Sequence, residues 1–227
     1  MTWREAIQDE GFAVVPAFFS VESIDRLLED IDRLSPQRSR AGVRHAFSLP
    51  PVAGISHDPR LLELACEVLG ENAFPFHATI FEKSPTANWL VVWHQDTALP
   101  LRERVEQLGW GPWSVKEGVN YAHAPAAALS QVLALRIHLD DSTSDNGPLK
   151  VVPCTHTLGV LTDDRIHELA MRNAPVACVA GKGGVVAIRP LAIHASSKSQ
   201  TEMPRRVLHI EYAASESIVS PLRLAVA

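Results

Sequence analysis

The residues best suited to chemistry in this 227-residue chain are a histidine and a carboxylate two positions apart, His94 and Asp96. Residues two apart on a β-strand point to the same face, so both side chains could reach one metal ion. A third ligand is available far downstream, where an apolar run presents the imidazole of His194. Two histidines and one carboxylate form a facial triad, which leaves three octahedral positions open and is typical of non-heme iron(II) oxygenases. Zinc accepts the same ligands, but usually in a tetrahedral site.

Two other histidine-x-acid motifs compete with this one, and position along the chain decides between them. They begin at His138 and His209. No histidine follows His209, so that motif has no downstream partner. Too few strand-like runs separate His138 from His194 to carry the chain around a barrel and back. The motif at His94 leaves that room, and we expect it to supply the metal ligands.

Arg205 follows His194 at the head of a run that alternates like a strand. The planar guanidinium binds carboxylate oxygens bidentately and stays charged at any working pH. This chemistry suits the far end of a dicarboxylic cosubstrate, although a lone arginine on a strand is more often a surface residue.

Together these residues resemble the motifs of the phytanoyl-CoA dioxygenase family of iron(II)/2-oxoglutarate oxygenases. Further similarities lie at residues 11–16, 145–149, 153–156 and 194–196, so the resemblance covers most of the chain. Two of these motifs usually read Pro-Gly-Ser-His and His-Gly-Ser in the family. Cys154 and Ala195 depart from that pattern, but neither departure removes a ligand.

The resemblance implies a mainly β fold with flanking helices, a double-stranded β-helix of the jelly-roll or cupin-like type. It also implies that His94, Asp96 and His194 are the catalytic metal ligands for Fe(II), with 2-oxoglutarate and O2 as cosubstrates. In such enzymes 2-oxoglutarate is converted to succinate and carbon dioxide while an unactivated carbon of the substrate is hydroxylated.

Four residues match cosubstrate positions of the family. The resemblance implies that Arg205 and the hydroxyl of Ser196 hold the distal carboxylate, and that Thr79 contacts the cosubstrate. Arg136 stands where relatives commonly have a tryptophan beside 2-oxoglutarate, so this chain has a charge in place of a ring.

Four further residues are candidates for substrate binding. Arg44 lies where relatives often carry a basic residue, and a plain surface arginine is the alternative. Trp110 and Trp113 lie in a long segment that could close over a substrate, or could instead pack the segment onto the domain or form a dimer contact. His138 shares a strand face with Arg136 and could border the pocket or hydrogen-bond a ligand.

The chain is expected to form a single domain, residues 1–227, with helix-rich support in 1–70 and the jelly-roll core in 71–227. A hydrophobic content of 46% is sufficient for one buried core. Residues at about 100–129 are predicted to be a long loop. Strand-like runs surround it, and Asn146-Gly147 predicts a hairpin between residues 131–139 and 149–152.

Composition excludes several classes of partner. A net charge of −5 and a pI near 6.0 give no basic face for nucleic acid or an anionic membrane. No apolar stretch is long enough for a signal peptide or a membrane span, so we expect a cytoplasmic protein. The three widely spaced cysteines indicate reduced thiols that are mostly buried. The chain could also form a homodimer, with the segment that contains Trp110 and Trp113 as the contact.

The predicted function is therefore an Fe(II)/2-oxoglutarate dioxygenase that hydroxylates a small molecule. An acyl thioester, an amino acid derivative and a natural-product intermediate all remain open. Asp96 argues against a related halogenase, because chloride would replace that carboxylate. An acyl-CoA would require a basic patch for its phosphates, for which the candidates are Arg38, Arg40 and Arg44. The alternative function is a cupin-like small-molecule-binding protein or a non-oxidative metal enzyme on the same scaffold.

Overall fold

A six-stranded and a four-stranded antiparallel β-sheet pack against each other in this computed structural model, which describes residues 1–39, 42–218 and 220–227. The strands are β1 (Phe12–Val15), β2 (Gly42–Val43), β3 (Phe74–Lys83), β4 (Val91–His94), β5 (Ala98–Leu101), β6 (Trp113–Lys116), β7 (Val119–His123), β8 (Val132–His138), β9 (Leu149–Val151), β10 (Val176–Cys178), β11 (Val185–Ile188), β12 (His194–Ser196) and β13 (Arg205–Ala213). The α-helices are α1 (Trp3–Asp9), α2 (Val21–Arg33), α3 (Pro50–Ser56), α4 (Pro59–Leu69), α5 (Ala126–Leu129) and α6 (Asp163–Arg172), and a 3-10 turn spans Ala46–Ser48.

The six-stranded sheet has the order β1-β11-β8-β13-β3-β2. Its outer face is apolar because alternation sends Leu133, Leu135 and Ile137 of β8 outward, into the core that α4 covers with residues such as Leu61. The opposite face of the same strands points inward and carries polar side chains, among them Arg136. The sheet therefore separates a hydrocarbon core beneath the helices from a polar interior that faces the second sheet.

The four-stranded sheet has the order β10-β9-β12-β4. Its strands contact the larger sheet through a second apolar cluster that includes Val151, Cys178 and Ile188. The hairpin predicted between residues 131–139 and 149–152 is wrong. These runs are β8 and β9, which lie in different sheets. The Asn146-Gly147 turn occurs where the chain crosses from one sheet to the other, and local turn chemistry does not reveal which sheet follows.

Residues 100–129, predicted to be a long loop, contain a third sheet of order β5-β7-β6 followed by α5. The loop prediction was therefore wrong. The strands of this sheet are short, and glycines and prolines interrupt the segment between them, which hides their periodicity. Because β5 begins two residues after Asp96, the small sheet lies directly beside the predicted metal ligands.

All three cysteines are free, with Cys178 buried, Cys66 half-buried and Cys154 exposed. Cys154 has a left-handed φ of +63°. Such a conformation costs a residue with a Cβ about 1 kcal/mol or more, which explains why glycine is usual at this position of the family motif. Within the described ranges, no helix is long and apolar enough to cross a membrane.

Candidate metal centre and adjoining cavities

The structure brings His94, Asp96 and His194 together, with one potential ligand atom of each within 4.8 Å of the others. His94 ends β4, His194 begins β12, and the two are directly paired across the four-stranded sheet. The Nε2 atoms of His94 and His194 lie 3.5 and 3.4 Å from the two carboxylate oxygens of Asp96. These spacings allow one metal ion to contact all three side chains.

Each histidine is oriented for metal binding by its own strand. The Nδ1–H group of His94 donates to the carbonyl of Val92 at 2.8 Å, and that of His194 donates to the carbonyl of Ala192 at 2.9 Å. These hydrogen bonds fix the tautomer, leaving the Nε2 lone pair of each ring directed to the centre. Burial alone would raise the pKa of Asp96, but His194 and His94 outweigh it and hold that pKa well below its usual range.

Gln95, between the ligands, fixes the end of β4. Its side-chain amide donates to the carbonyls of Gly159 and Leu191, and its oxygen accepts from the backbone N–H of Leu161. The backbone N–H of Asp96 donates to the carbonyl of Pro190 at 2.9 Å. Hydrogen bonds to the backbone of two neighbouring segments, residues 159–161 and 190–191, therefore fix the position of Asp96.

The two competing histidine-x-acid motifs do not meet a third ligand within the part of the chain that the structure describes. His138 is buried, and its ring nitrogens have no partner among the residues described, while Asp140 accepts two hydrogen bonds from Arg206. The His209 ring accepts from Arg136, and Glu211 accepts from His77.

A small cavity of about 110 Å³ adjoins the triad and is lined by Arg136, Arg205 and Ser196. We call it the cationic pocket. Arg205 is buried, and its Nε has no hydrogen-bond partner in the described part of the chain. Burial, with a smaller contribution from Arg136, lowers the pKa of Arg205 to about 10, so it remains charged at neutral pH. Of the described residues that line this pocket, Asp96 alone carries a carboxylate, so an anionic ligand would compensate the arginine charges.

Lys83 lies behind the cationic pocket and was not predicted to belong to the site. Its side chain is fully buried and donates to Ser196 Oγ at 2.7 Å and to the carbonyl of Ser197. Burial, followed by the charges of Arg205 and Arg136, lowers the pKa of Lys83 to about 7. Alternation along β3 places Lys83 on the interior face, and pairing with β13 sets it opposite Arg205. Only the alternation was visible in the sequence.

Replacing Lys83 with methionine should stabilise the ligand-free protein by about 2 kcal/mol at pH 7. Lowering the pKa from 10.5 to about 7 means that burial destabilises the charged amine by roughly 5 kcal/mol, a cost that methionine removes. Methionine also loses the two hydrogen bonds of the amine, which offsets about 2–3 kcal/mol of that gain. The folded amine has the lower pKa, so the wild type should gain stability as pH rises from about 7 towards 10.5. Denaturant unfolding at several pH values tests this, and an equally steep rise in Lys83→Met would contradict it.

Arg136 lines the cationic pocket and extends towards His209, which lines a second, larger cavity. Its guanidinium donates to Nδ1 of His209 at 3.0 Å and lies 5.4 Å from the centre of the Phe81 ring. Burial and then Arg136 hold the pKa of His209 well below its usual range, which keeps that imidazole neutral. Arg136 therefore lines the same pocket as Arg205 and Ser196, with no acidic partner within 4 Å among the described residues.

A larger cavity of about 310 Å³ opens on the other side of Asp96, which together with Phe81 lines both spaces. We call it the wide cavity. Its lining includes Arg44, Lys116 and Glu211. Thr79, predicted to contact the cosubstrate, lines the wide cavity and is absent from the lining of the cationic pocket.

The predicted tryptophans do not line either cavity. Trp110 is buried in an apolar cluster under the small sheet, and Trp113 packs partly against the same cluster. Alternation along β6 turns Trp113 away from the face that carries Lys116, which explains why the lysine and not the tryptophan reaches the wide cavity. The segment does border the site, but through Lys116, Tyr121 and His123.

His77 and Glu211 were also missed as cavity residues. The two are paired across β3 and β13, and the His77 imidazole contacts a Glu211 carboxylate oxygen at 2.6 Å. Strand alternation offered a signal, because His77 shares a face with Thr79, and Glu211 with Arg205. The pairing between the strands was not visible in the sequence. His138, by contrast, lines neither cavity.

Comparison with known proteins agrees with this geometry. Residues 7–207 of the chain match the phytanoyl-CoA dioxygenase (PhyH) family. L-proline trans-4-hydroxylase of Streptomyces griseoviridis is 27% identical over 241 residues, covering 89% of this chain and 82% of that protein.

Two solved structures show the same fold. EctD from S. alaskensis with 2-oxoglutarate and 5-hydroxyectoine has a TM-score of 0.69 at 19% identity, covering 92% of this chain and 74% of that one. The epimerase SnoN in complex with Fe3+, alpha ketoglutarate and nogalamycin RO has a TM-score of 0.70 at 17% identity, covering 93% and 82%. The predicted double-stranded β-helix is confirmed.

Proposed function

The chain belongs to the phytanoyl-CoA dioxygenase family of iron- and 2-oxoglutarate-dependent oxygenases, and we propose that it hydroxylates a carbon of a small polar molecule. The observation that supports this proposal is the pair of cavities that meet at Asp96. One is cationic and suits a dicarboxylic cosubstrate, and the other offers separate polar space for a substrate.

The residues present fit the iron and the cosubstrate. His94, Asp96 and His194 would hold iron(II), since two neutral imidazoles and one ionised carboxylate are the ligand set of a facial triad. Bound iron(II), 2-oxoglutarate and oxygen supply the oxidation, which yields succinate and carbon dioxide and delivers one oxygen atom to the substrate carbon. The protein supplies the orientation of both organic molecules.

Arg205 is the proposed anchor for the distal carboxylate of 2-oxoglutarate. Its guanidinium is buried, charged and without a carboxylate partner within 4 Å among the described residues. Ser196 lines the same pocket, where its hydroxyl donates to the carbonyl of Gly147 and accepts from Lys83. Arg136 closes the pocket towards the wide cavity, and its charge adds to the attraction for a dianion.

The charges and the cavity size favour a small substrate over an acyl-CoA. Arg38 is already paired with Asp32 and Glu82, and Arg40 lies outside the described residues. Arg44 remains in the wide cavity, so no three-arginine patch for phosphates is assembled by the residues that the structure describes. A cavity of about 310 Å³ suits a molecule of amino-acid size.

Anaerobic addition of iron(II) and 2-oxoglutarate should produce the visible metal-to-ligand charge-transfer band of a chelated keto acid. The band is expected because three protein ligands leave adjacent positions free for chelation. Titration of 2-oxoglutarate should saturate it at one equivalent per chain. Tight zinc binding combined with no band in the presence of iron would instead support a binding protein or a non-oxidative metal enzyme.

A further inference from the structure

The wide cavity carries opposite charges on two of its walls. Glu211 lies on its floor in β13, while Lys116 extends from β6 of the small sheet and Arg44 follows β2. The carboxylates of Asp96 and Glu211 line the same cavity as the Lys116 ammonium and the Arg44 guanidinium. The floor is therefore acidic and the covering side basic.

Glu211 is a buried carboxylate that pairs with no lysine or arginine among the residues that the structure describes. His77 is its sole ion-pair partner among the described residues, and that partner is an imidazole rather than a lysine or arginine. The Tyr121 hydroxyl lies 3.2 Å from Nε2 of His77 and 3.0 Å from Nε2 of His45. Burial lowers the pKa of His45, so its ring is neutral at pH 7.

These contacts form a directed chain of hydrogen bonds when both imidazoles are neutral. His45 donates to the Tyr121 hydroxyl, the hydroxyl donates to His77, and His77 donates to Glu211. With both imidazoles neutral, the chain holds the carboxylate in position without bringing it a positive charge. A buried carboxylate in this state attracts a cationic group of a ligand.

The covering side offers two cationic groups. The Lys116 ammonium lies 4.6 Å from the centre of the Tyr121 ring and has no carboxylate within 4 Å among the described residues. Burial and then Arg44 lower the pKa of Lys116, as expected for two like charges near each other. Arg44 has a weak contact of 4.0 Å with the half-exposed Glu117. An anionic group between Lys116 and Arg44 would relieve their repulsion.

We propose that the wide cavity binds a small zwitterion, with its ammonium on Glu211 and its carboxylate between Lys116 and Arg44. This inference rests on the proposed function, since it names the substrate class of the same site. The Tyr121 hydrogen bonds connect the small sheet to the floor of the cavity and thereby fix the distance between the two charged walls. The reacting carbon would lie between the charged ends, beside Asp96.

Matched probes test the proposal on the protein loaded anaerobically with iron(II) and 2-oxoglutarate. One set has a five-membered ring in common: L-proline carries both charges, pyrrolidine only the positive charge and cyclopentanecarboxylate only the negative charge. A second set runs from glycine to 5-aminopentanoate, with the corresponding amines and acids. Binding is measured by calorimetry and by the change in the charge-transfer band. At least one zwitterion should bind about tenfold or more tightly than its singly charged counterparts.

The variants Glu211→Gln and Lys116→Met should each weaken that zwitterion about ten- to a hundredfold while the 2-oxoglutarate titration stays unchanged. Glutamine can still accept the His77 hydrogen bond, and Lys116 is partly exposed, so both variants should fold. Glu82→Gln is the matched control, because Glu82 lies on the outer face of the same sheet and pairs with Arg38. It should change neither titration.

Three outcomes would overturn the inference. The first is equal binding of acids that lack an amine, the second is an unchanged zwitterion affinity in Glu211→Gln, and the third is a normal charge-transfer band with no probe bound. The first two would leave Glu211 as a partner of His77 alone. Failure of the proposed function is distinguishable, because the band itself would then be missing while probe binding could still be measured.

Discussion

Replacing His194 with alanine should abolish the charge-transfer band and the formation of succinate. The imidazole is one of the three proposed ligands, and its Nε2 lies 3.4 Å from a carboxylate oxygen of Asp96, another of them. Loss of a group that only orients a ligand typically costs 10- to 100-fold in metal affinity, so loss of a ligand should cost more than about 100-fold. Iron(II) titration under anaerobic conditions measures the loss.

His138→Phe is the control for this experiment. His138 begins a competing histidine-x-acid motif, and within the described ranges neither nitrogen of its buried ring has a partner. Burial, followed by Arg136 and Arg205, lowers the pKa of His138 to about 3, so phenylalanine replaces a neutral ring of similar shape. Iron affinity should be retained. Comparable losses in the two variants would mean that the His94 motif is not the one that binds the metal.

Replacing Arg205 with alanine should weaken 2-oxoglutarate about ten- to a hundredfold while sparing iron. The buried guanidinium lines the cationic pocket and is the proposed bidentate partner of the distal carboxylate, a contact worth roughly 1.5–3 kcal/mol. Arg205→Lys should fall between wild type and alanine, because a point charge does not reproduce the planar fork. Titration of the charge-transfer band with 2-oxoglutarate gives the affinity of each variant.

Arg206→Ala is the neighbouring control. Its side chain points to the opposite face of β13, where it makes a bidentate ion pair with Asp140. This variant should lose some stability but keep its affinity for 2-oxoglutarate. An unchanged affinity in Arg205→Ala, or equal losses in the two variants, would remove Arg205 from the cosubstrate site.

The sequence by itself determined the local chemistry of the site. Period-two alternation places Arg205 on the opposite face from Arg206 whatever sheet contains β13. The two-residue spacing keeps Asp96 beside His94, although β4 ends at His94 and Asp96 follows the strand. The order of the motifs along the chain then selected the His94 motif as the partner of His194. These predictions needed only the backbone geometry of single strands and the preferences of metal ligands, both of which are local properties.

Only the tertiary structure decided which strands are neighbours. Pairing of β12 with β4 sets His194 against His94, and pairing of β13 with β3 sets Lys83 opposite Arg205 and His77 opposite Glu211. Each of these contacts joins residues that are far apart in the chain. A strand's sequence specifies which side chains share a face, but its backbone hydrogen bonds pair equally well with many partners.

The small sheet shows the same limit to what the sequence alone predicts. Residues 113–123 form two short strands whose side chains reach the wide cavity through Lys116 and Tyr121, while Trp110 and Trp113 turn to the apolar cluster. The sequence indicated that aromatic residues lay near the metal ligands, but not which face of each strand would be turned to the cavity. That choice followed from where apolar surface was available for burial, which is a property of the assembled sheets.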